Sequence, residues 1–345
     1  MTDEQWNILL RVLEGDLIDS PPVGFLVDGP WFSGLCHVRL MDYLSDSRLW
    51  LEANLRAHAR FPDVLWLPGF WAEFGMISNP PSFGAKCIWP EEGFPTCESI
   101  LDDYDDILHL QLPNVRTDGL LPLMTARVQQ NLPVIEAAGH RIRFAAAHGP
   151  LTIGSYLLGH TPFFLGMRTE ADAIHRLLQI TTQFVIDWLR LQKELFPSID
   201  GILILEDMMG FVGPQDFREF ALPYIAEIFA SQDVSVRFLH NDAAGLITAQ
   251  HLTDMGVNLF NFSYEHSIAE IRNLAGERVT LLGNVPPRDV LAQGTHDDIR
   301  RHVNHIVQAM PDRRRLIISG GGFTPPQFDE GRIRAFCDAV RSAAS

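Results

Sequence analysis

Short apolar runs alternate with longer amphipathic stretches along most of this chain. From residue 140 onward the runs span 142–147, 201–205, 236–239, 257–260, 279–282 and 316–318. Each is rich in Val, Ile, Leu or Phe and lacks polar alternation, the pattern of a strand covered on both faces. Between them, residues 170–195 and 216–230 carry a helical period. A further helix is expected to open near Thr295, with a Thr cap and acids Asp297 and Asp298 in its first turn. Strands alternating with helices predict a parallel α/β sheet. Two earlier runs, 23–27 and 64–67, bring the candidate strands to eight, the number that closes a (β/α)8 TIM barrel.

The remaining segments fit around that barrel. Residues 1–20 read as an N-terminal helical extension. Residues 68–100, rich in Pro, Gly and Trp, read as a long ordered insertion, and loops of that length often carry function. No low-complexity stretch or linker divides the chain, so residues 1–345 are expected to form one domain.

Composition narrows the partners. With 46% hydrophobic residues over 345 positions the chain can bury a large core unaided. Its 43 acids outnumber 27 Lys and Arg, giving a net charge of −16. That balance argues against nucleic acid, whose phosphates need clustered cations, and disfavours a polyanionic substrate. The four cysteines form neither a CxxC pair nor a dense framework. The acidic start is unlike a signal peptide and no apolar run reaches membrane-span length, so a cytoplasmic location and no membrane partner are expected.

Almost every expected strand ends in polar residues or glycine. Asp28, Glu73 and His148 follow the first three, Glu206 and Asp207 the fourth, and His240, Asn241 and Asp242 the fifth. Asn261 and Ser263, then Asn284, then Ser319 with Gly320, Gly321 and Gly322 follow the others. In a barrel these positions converge on one mouth, where barrel enzymes keep their chemistry. His240 and Asp242 lie two apart and share a side of their strand. Such a pair could share a metal ion or act as acid and base; equally, the His could bond a loop while the Asp caps a helix. A carboxylate at Glu206, ending an apolar strand, must be paired, protonated or metal-bound, or satisfied by a structural hydrogen bond. Glu73 could be a third ligand or base, or a surface ion-pair partner. The glycine run allows close backbone approach to a ligand or simply makes a tight turn; no GxGxxG or GK[ST] pattern accompanies it.

In combination these pieces resemble a known superfamily. They are His148-Gly149-Pro150 with LTIGSYLLG, Glu206-Asp207 with GFVGPQDFREFALPY, FLHND at 238–242, LLGNVPP at 281–287 and ISGGGFTPP at 318–326. Their order is similar to the uroporphyrinogen decarboxylase superfamily, which includes zinc-dependent, corrinoid-linked methyltransferases. The resemblance implies a (β/α)8 barrel with its site at the strand C-termini. The true decarboxylase carries an Arg-rich loop after its first strand, where this chain has residues 27–32 with Asp28 and no Arg; its last-strand GHG is here Gly320-Gly321-Gly322. The thiol-directed methyltransferases hold zinc with His-x-Cys and a later Cys. His240 occupies the first position, Asp242 replaces the second ligand, and the third falls in the glycine run.

The resemblance implies a methyltransferase that moves a methyl group between a small ether or amine donor and a separate corrinoid protein, assisted by a divalent metal such as zinc. His240, Asp242 and Glu73 are the expected ligands. Glu206, His148 and Asn284 are expected in catalysis, and Asp28, Trp31, Asn241, Ser263, Gly320 and Gly321 in substrate binding. The alternatives are a decarboxylase or other lyase, and a non-catalytic barrel that binds a tetrapyrrole or corrinoid.

Overall fold

A computed structural model describes residues 1–91, 93–243 and 246–344. Eight parallel strands curl into the barrel: β1 (Val23–Leu26), β2 (Val64–Leu67), β3 (Phe144–His148), β4 (Gly201–Leu205), β5 (Val236–Asn241), β6 (Leu259–Phe262), β7 (Thr280–Val285) and β8 (Leu316–Gly320). Their hydrogen-bonded order is β2-β1-β8-β7-β6-β5-β4-β3. All eight coincide with the apolar runs. The shifts are at the ends: β3, β5, β6, β7 and β8 continue into the residues that follow, β3, β6 and β7 start later than expected, and β1 ends one residue earlier.

Register sets the layers. His148 lies beside Leu205, Leu205 beside His240, and His240 beside Asn261, so one cross-strand row carries both histidines and the asparagine. Alternation then divides each strand. Phe144, Ala146, Leu203, Leu205, Phe238, Leu259, Leu282 and Ile317 fill the interior, while their neighbours in sequence pack against the surrounding helices. Gly201 makes room for Phe144, whose ring a Cβ there would meet at 2.7 Å.

The helix Asp3–Glu14, capped by a Thr2/Gln5 capping box, plugs the lower end with Trp6, Leu9, Val12 and Leu13. Among the described residues no backbone ladder joins β2 to β3. Side chains serve that seam instead. Gln192 accepts from Ala146 N–H and donates to its carbonyl, each at 3.1 Å, as a neighbouring strand would. Asn79 accepts the His148 N–H at 3.0 Å, and Gln5 donates to the carbonyls of Pro62 and Val64. Buried backbone groups need such partners.

The segment expected as an ordered insertion holds one short helical turn, Pro80–Phe83, and a small antiparallel hairpin of Cys87–Ile88 and Thr96–Cys97. Thr295 caps the helix His296–Ala309 together with Asp298, as its sequence indicated.

Candidate functional site

At the C-terminal mouth lies a cavity of about 240 Å³. Strand ends supply Asp28, His148, Leu205, Asp207, His240 and Asp242; loops add Trp71, Glu73, Phe94 and Phe323, and the helix Pro150–Leu158 adds Thr152 and Tyr156 to its wall. No Lys or Arg is among the described residues lining it.

Asp207, His240 and Asp242 place a ligand atom each within 4.8 Å of one another. His240 Nε2 stands 3.9 Å from Asp207 Oδ1 and 3.9 Å from Asp242 Oδ2, too far for hydrogen bonds and open to an ion between them. The Asp242 N–H donates to Asp207 Oδ1 at 3.0 Å, which fixes the two carboxylates relative to each other. Alternation explains Asp207: Leu203 and Leu205 face inward, so residue 207 does too. The sequence reading passed over it as a ligand although the same period-two rule chose His240 and Asp242.

The tautomer of His240 follows from its neighbour. Asn261 donates its amide protons to the carbonyls of Leu282 (2.7 Å) and Gly320 (3.0 Å), so its oxygen must be what faces His240 Nδ1 at 2.8 Å. In the neutral ring Nδ1 therefore carries the proton, and the Nε2 lone pair faces the space between the two carboxylates. His148 is arranged alike. Asn79 Oδ1 accepts both its N–H and its Nδ1–H, leaving Nε2 as an acceptor. Burial, helped by the nearby His240, pushes the His148 pKa down to about 4.

Opposite stands a second pair of acids. Glu73 accepts from the N–H groups of Gly29 and Gly75, and Asp28 caps the helix Gly29–Cys36. Burial raises both, and the negative charge of Glu73 raises Asp28 further, so the pair retains a proton well above the usual carboxylate range. Glu73 lines the cavity but is not one of the clustered ligands.

Several expected site residues lie elsewhere. Glu206 is fully buried behind β4, where the opposite parity carries it to the N-terminus of helix Pro150–Leu158. It accepts from Leu151 and Thr152 N–H, Thr152 Oγ1 and Met208 N–H. These donors favour its ionised form, but burial outweighs them and lifts its pKa to about 7. Asn241 also faces outward and bonds Thr248. Trp31 stacks on Trp66 at 4.5 Å and donates to Phe328 O, so Trp71 takes the aromatic place in the cavity. Asn284 ties down the carbonyls of Ser263 and His266, and Ser263 accepts from Glu265 N–H. The Gly321 N–H is spent on Val285 O, and the Gly320 carbonyl on Asn261. None of these lines the cavity. The glycine run bears on the site differently: a Cβ at Gly322 would stand 2.7 Å from Asp242 Oδ2, so the Asp242 carboxylate sits where a side chain from that loop would reach.

No helix among the described residues is long and apolar enough to cross a membrane. A family model described as "Uroporphyrinogen decarboxylase (URO-D)" matches residues 6–343. The chain is 25% identical to a uroporphyrinogen decarboxylase of Thermus thermophilus, covering 98% of each chain. It is 23% identical to that of Methylobacillus flagellatus, covering 97% of each. The human enzyme is 24% identical over 76% of this chain and 73% of its own length. Among solved structures, a methyltransferase from Methanosarcina mazei matches 98% of both chains with a TM-score of 0.81 at 18% identity, a likeness of fold. The chain belongs to the uroporphyrinogen decarboxylase family.

Proposed function

We propose that this protein is a metal-assisted methyltransferase, moving a methyl group between a small ether or amine donor and a separate corrinoid protein. The observation that carries this reading is the cavity's charge: acids and histidines converge on it, with no Lys or Arg among the described residues that line it. A substrate with many carboxylates would meet Asp28, Glu73, Asp207 and Asp242; Arg127, whose charge acts on Glu73, is not among the described residues lining the cavity. A divalent cation and a neutral or cationic donor suit it.

The donor set passes a test of fit for the metal. One imidazole with its lone pair fixed and two carboxylates form a nitrogen–oxygen site for zinc or a harder divalent ion. When bound, such an ion would supply Lewis acidity to the heteroatom that carries the methyl group. The protein's own groups do the rest. Asp207 and Asp242 hold the positive charge, and Asn261 keeps the His240 ring oriented. Trp71, Phe94, Tyr156 and Phe323 give the donor apolar walls. The Asp28–Glu73 pair keeps a proton that can pass to the leaving oxygen or nitrogen, a general-acid role that Glu206 cannot fill from behind the strand.

Two measurements test the reading. Elemental analysis should find a divalent metal in the wild-type protein that is absent from His240→Ala. Anaerobic assays with a purified corrinoid protein should then methylate its cobalt from a methoxy or methylamine donor. Release of carbon dioxide from uroporphyrinogen by metal-free protein would overturn it in favour of the activity named for its relatives.

A further inference from the structure

Cys87 and Cys97 are ten residues apart in the sequence and directly opposite in the fold. They are Cα partners in the antiparallel hairpin of Cys87–Ile88 and Thr96–Cys97. The Glu98 N–H donates to Lys86 O at 3.1 Å, which makes 86/98 a hydrogen-bonded pair. The next pair, 87/97, is therefore a non-hydrogen-bonded pair, in which Cα atoms sit about 4.5 Å apart and side chains project side by side on one face. That separation falls within the range a disulfide spans. Both thiols are free and half-buried.

The hairpin is attached to the cavity. Phe94, in its connecting loop, lines the cavity wall and lies against the backbone of Gly75, where a Cβ would run into its ring. Trp89 contacts Phe74 edge-on at 6.3 Å. The strands themselves are only two residues each, and an isolated hairpin of that size is marginal in water. An exposed Lys86–Glu98 ion pair at 2.9 Å adds little to it.

We infer that Cys87 and Cys97 form a cross-strand disulfide site that pins the hairpin presenting Phe94 to the cavity. The oxidant is a small-molecule disulfide of the glutathione class. One cysteine thiolate attacks it, forming a mixed disulfide and releasing one small thiol. The second cysteine thiolate then displaces the other small thiol. Two S–H bonds are lost and one S–S bond forms; the two electrons and two protons end on the two released thiols. Burial pushes the Cys87 thiol up and holds that of Cys97 at about 11, so exchange is slow at neutral pH and quickens as pH rises. The inference is independent of which reaction the cavity performs.

The test equilibrates the full chain with oxidised and reduced glutathione, quenches with acid and maps peptides by mass. The expected result is a loss of about 2 Da per chain in a single linked Cys87–Cys97 peptide, with Cys36 and Cys337 unlinked. Cys97→Ser should trap glutathione on Cys87 at a level at least about tenfold above wild type, where the neighbouring thiol displaces it. Stable glutathione adducts on both thiols of the wild type, or links to other cysteines, would overturn the site. In the bridged protein, amide exchange across residues 93–97 should slow by about tenfold or more. Unchanged exchange would overturn the pinning of Phe94.

Discussion

Glu206 and Asp207 are consecutive carboxyl residues at the end of β4, and they face opposite sides of the barrel wall. Glu206 points outward, is fully buried and accepts from three donors at the start of helix Pro150–Leu158 and from the Met208 N–H. Asp207 points inward, accepts one N–H from Asp242, and keeps 39% of its side chain exposed at the mouth. β5 repeats the division, with Asn241 outward on Thr248 and His240 and Asp242 inward. A polar residue at a strand end thus serves the scaffold or the site according to its parity, and the parity is set by the apolar residues before it.

The comparison predicts opposite failures. Asp207→Asn should weaken binding of zinc or manganese by more than about 100-fold, beyond the usual cost of losing a group that merely orients a ligand. Its folding stability should change little, since the side chain is partly exposed. Glu206→Ala should leave metal affinity intact and destabilise the fold by about 2–4 kcal/mol, because buried N–H groups lose their acceptor. Calorimetric titration with the metal and urea unfolding measure the two effects. Equal loss of metal in both variants would erase the distinction.

Glu206 also sharpens the comparison through pH. The folded state holds its proton up to about pH 7, whereas an ordinary glutamate releases it near 4.5. The folded protein therefore binds more protons than the unfolded chain between those values. The resulting stabilisation is full below about 4.5 and is lost as pH rises through about 7, a change of about 3 kcal/mol. Glu206→Gln has no proton to lose, so its urea midpoint should lack this component. Matching pH profiles for the two proteins would place the titration elsewhere.

Much of this architecture was legible before the fold. Apolar runs such as 201–205 and 316–318 need no context, because a strand covered on both faces must be apolar throughout. His240 and Asp242 were legible from spacing. Asp207 was within reach of the same rule but was hidden by Glu206, whose burial after an unbroken apolar run looked the more costly. What could not be read was tertiary. Gln192 imitates a missing strand at the β2–β3 seam only because helix Ala171–Leu195 is packed there. Trp31 and Trp71 both follow strand ends closely in sequence, and only packing shows that Trp71 is the one that reaches the cavity. Asn261 was noted only as a polar strand end, though it fixes the tautomer of His240.

That role of Asn261 yields the smallest expected effect and the most specific one. Its amide donates to two carbonyls and so cannot turn its nitrogen toward His240. Whenever the ring is neutral it should therefore carry its proton on Nδ1, readable in the nitrogen chemical shifts of the neutral form. Asn261→Ala removes the acceptor and lets both neutral tautomers populate, one of which blocks Nε2 with a proton. Metal affinity should fall by about 10- to 100-fold, the range typical for groups that orient a ligand. A purely structural asparagine would lower stability without changing the tautomer ratio. A neutral wild-type His240 with its proton on Nε2 and none on Nδ1 would refute the orientation argument directly, because Nδ1 would then face the Asn261 oxygen without a proton.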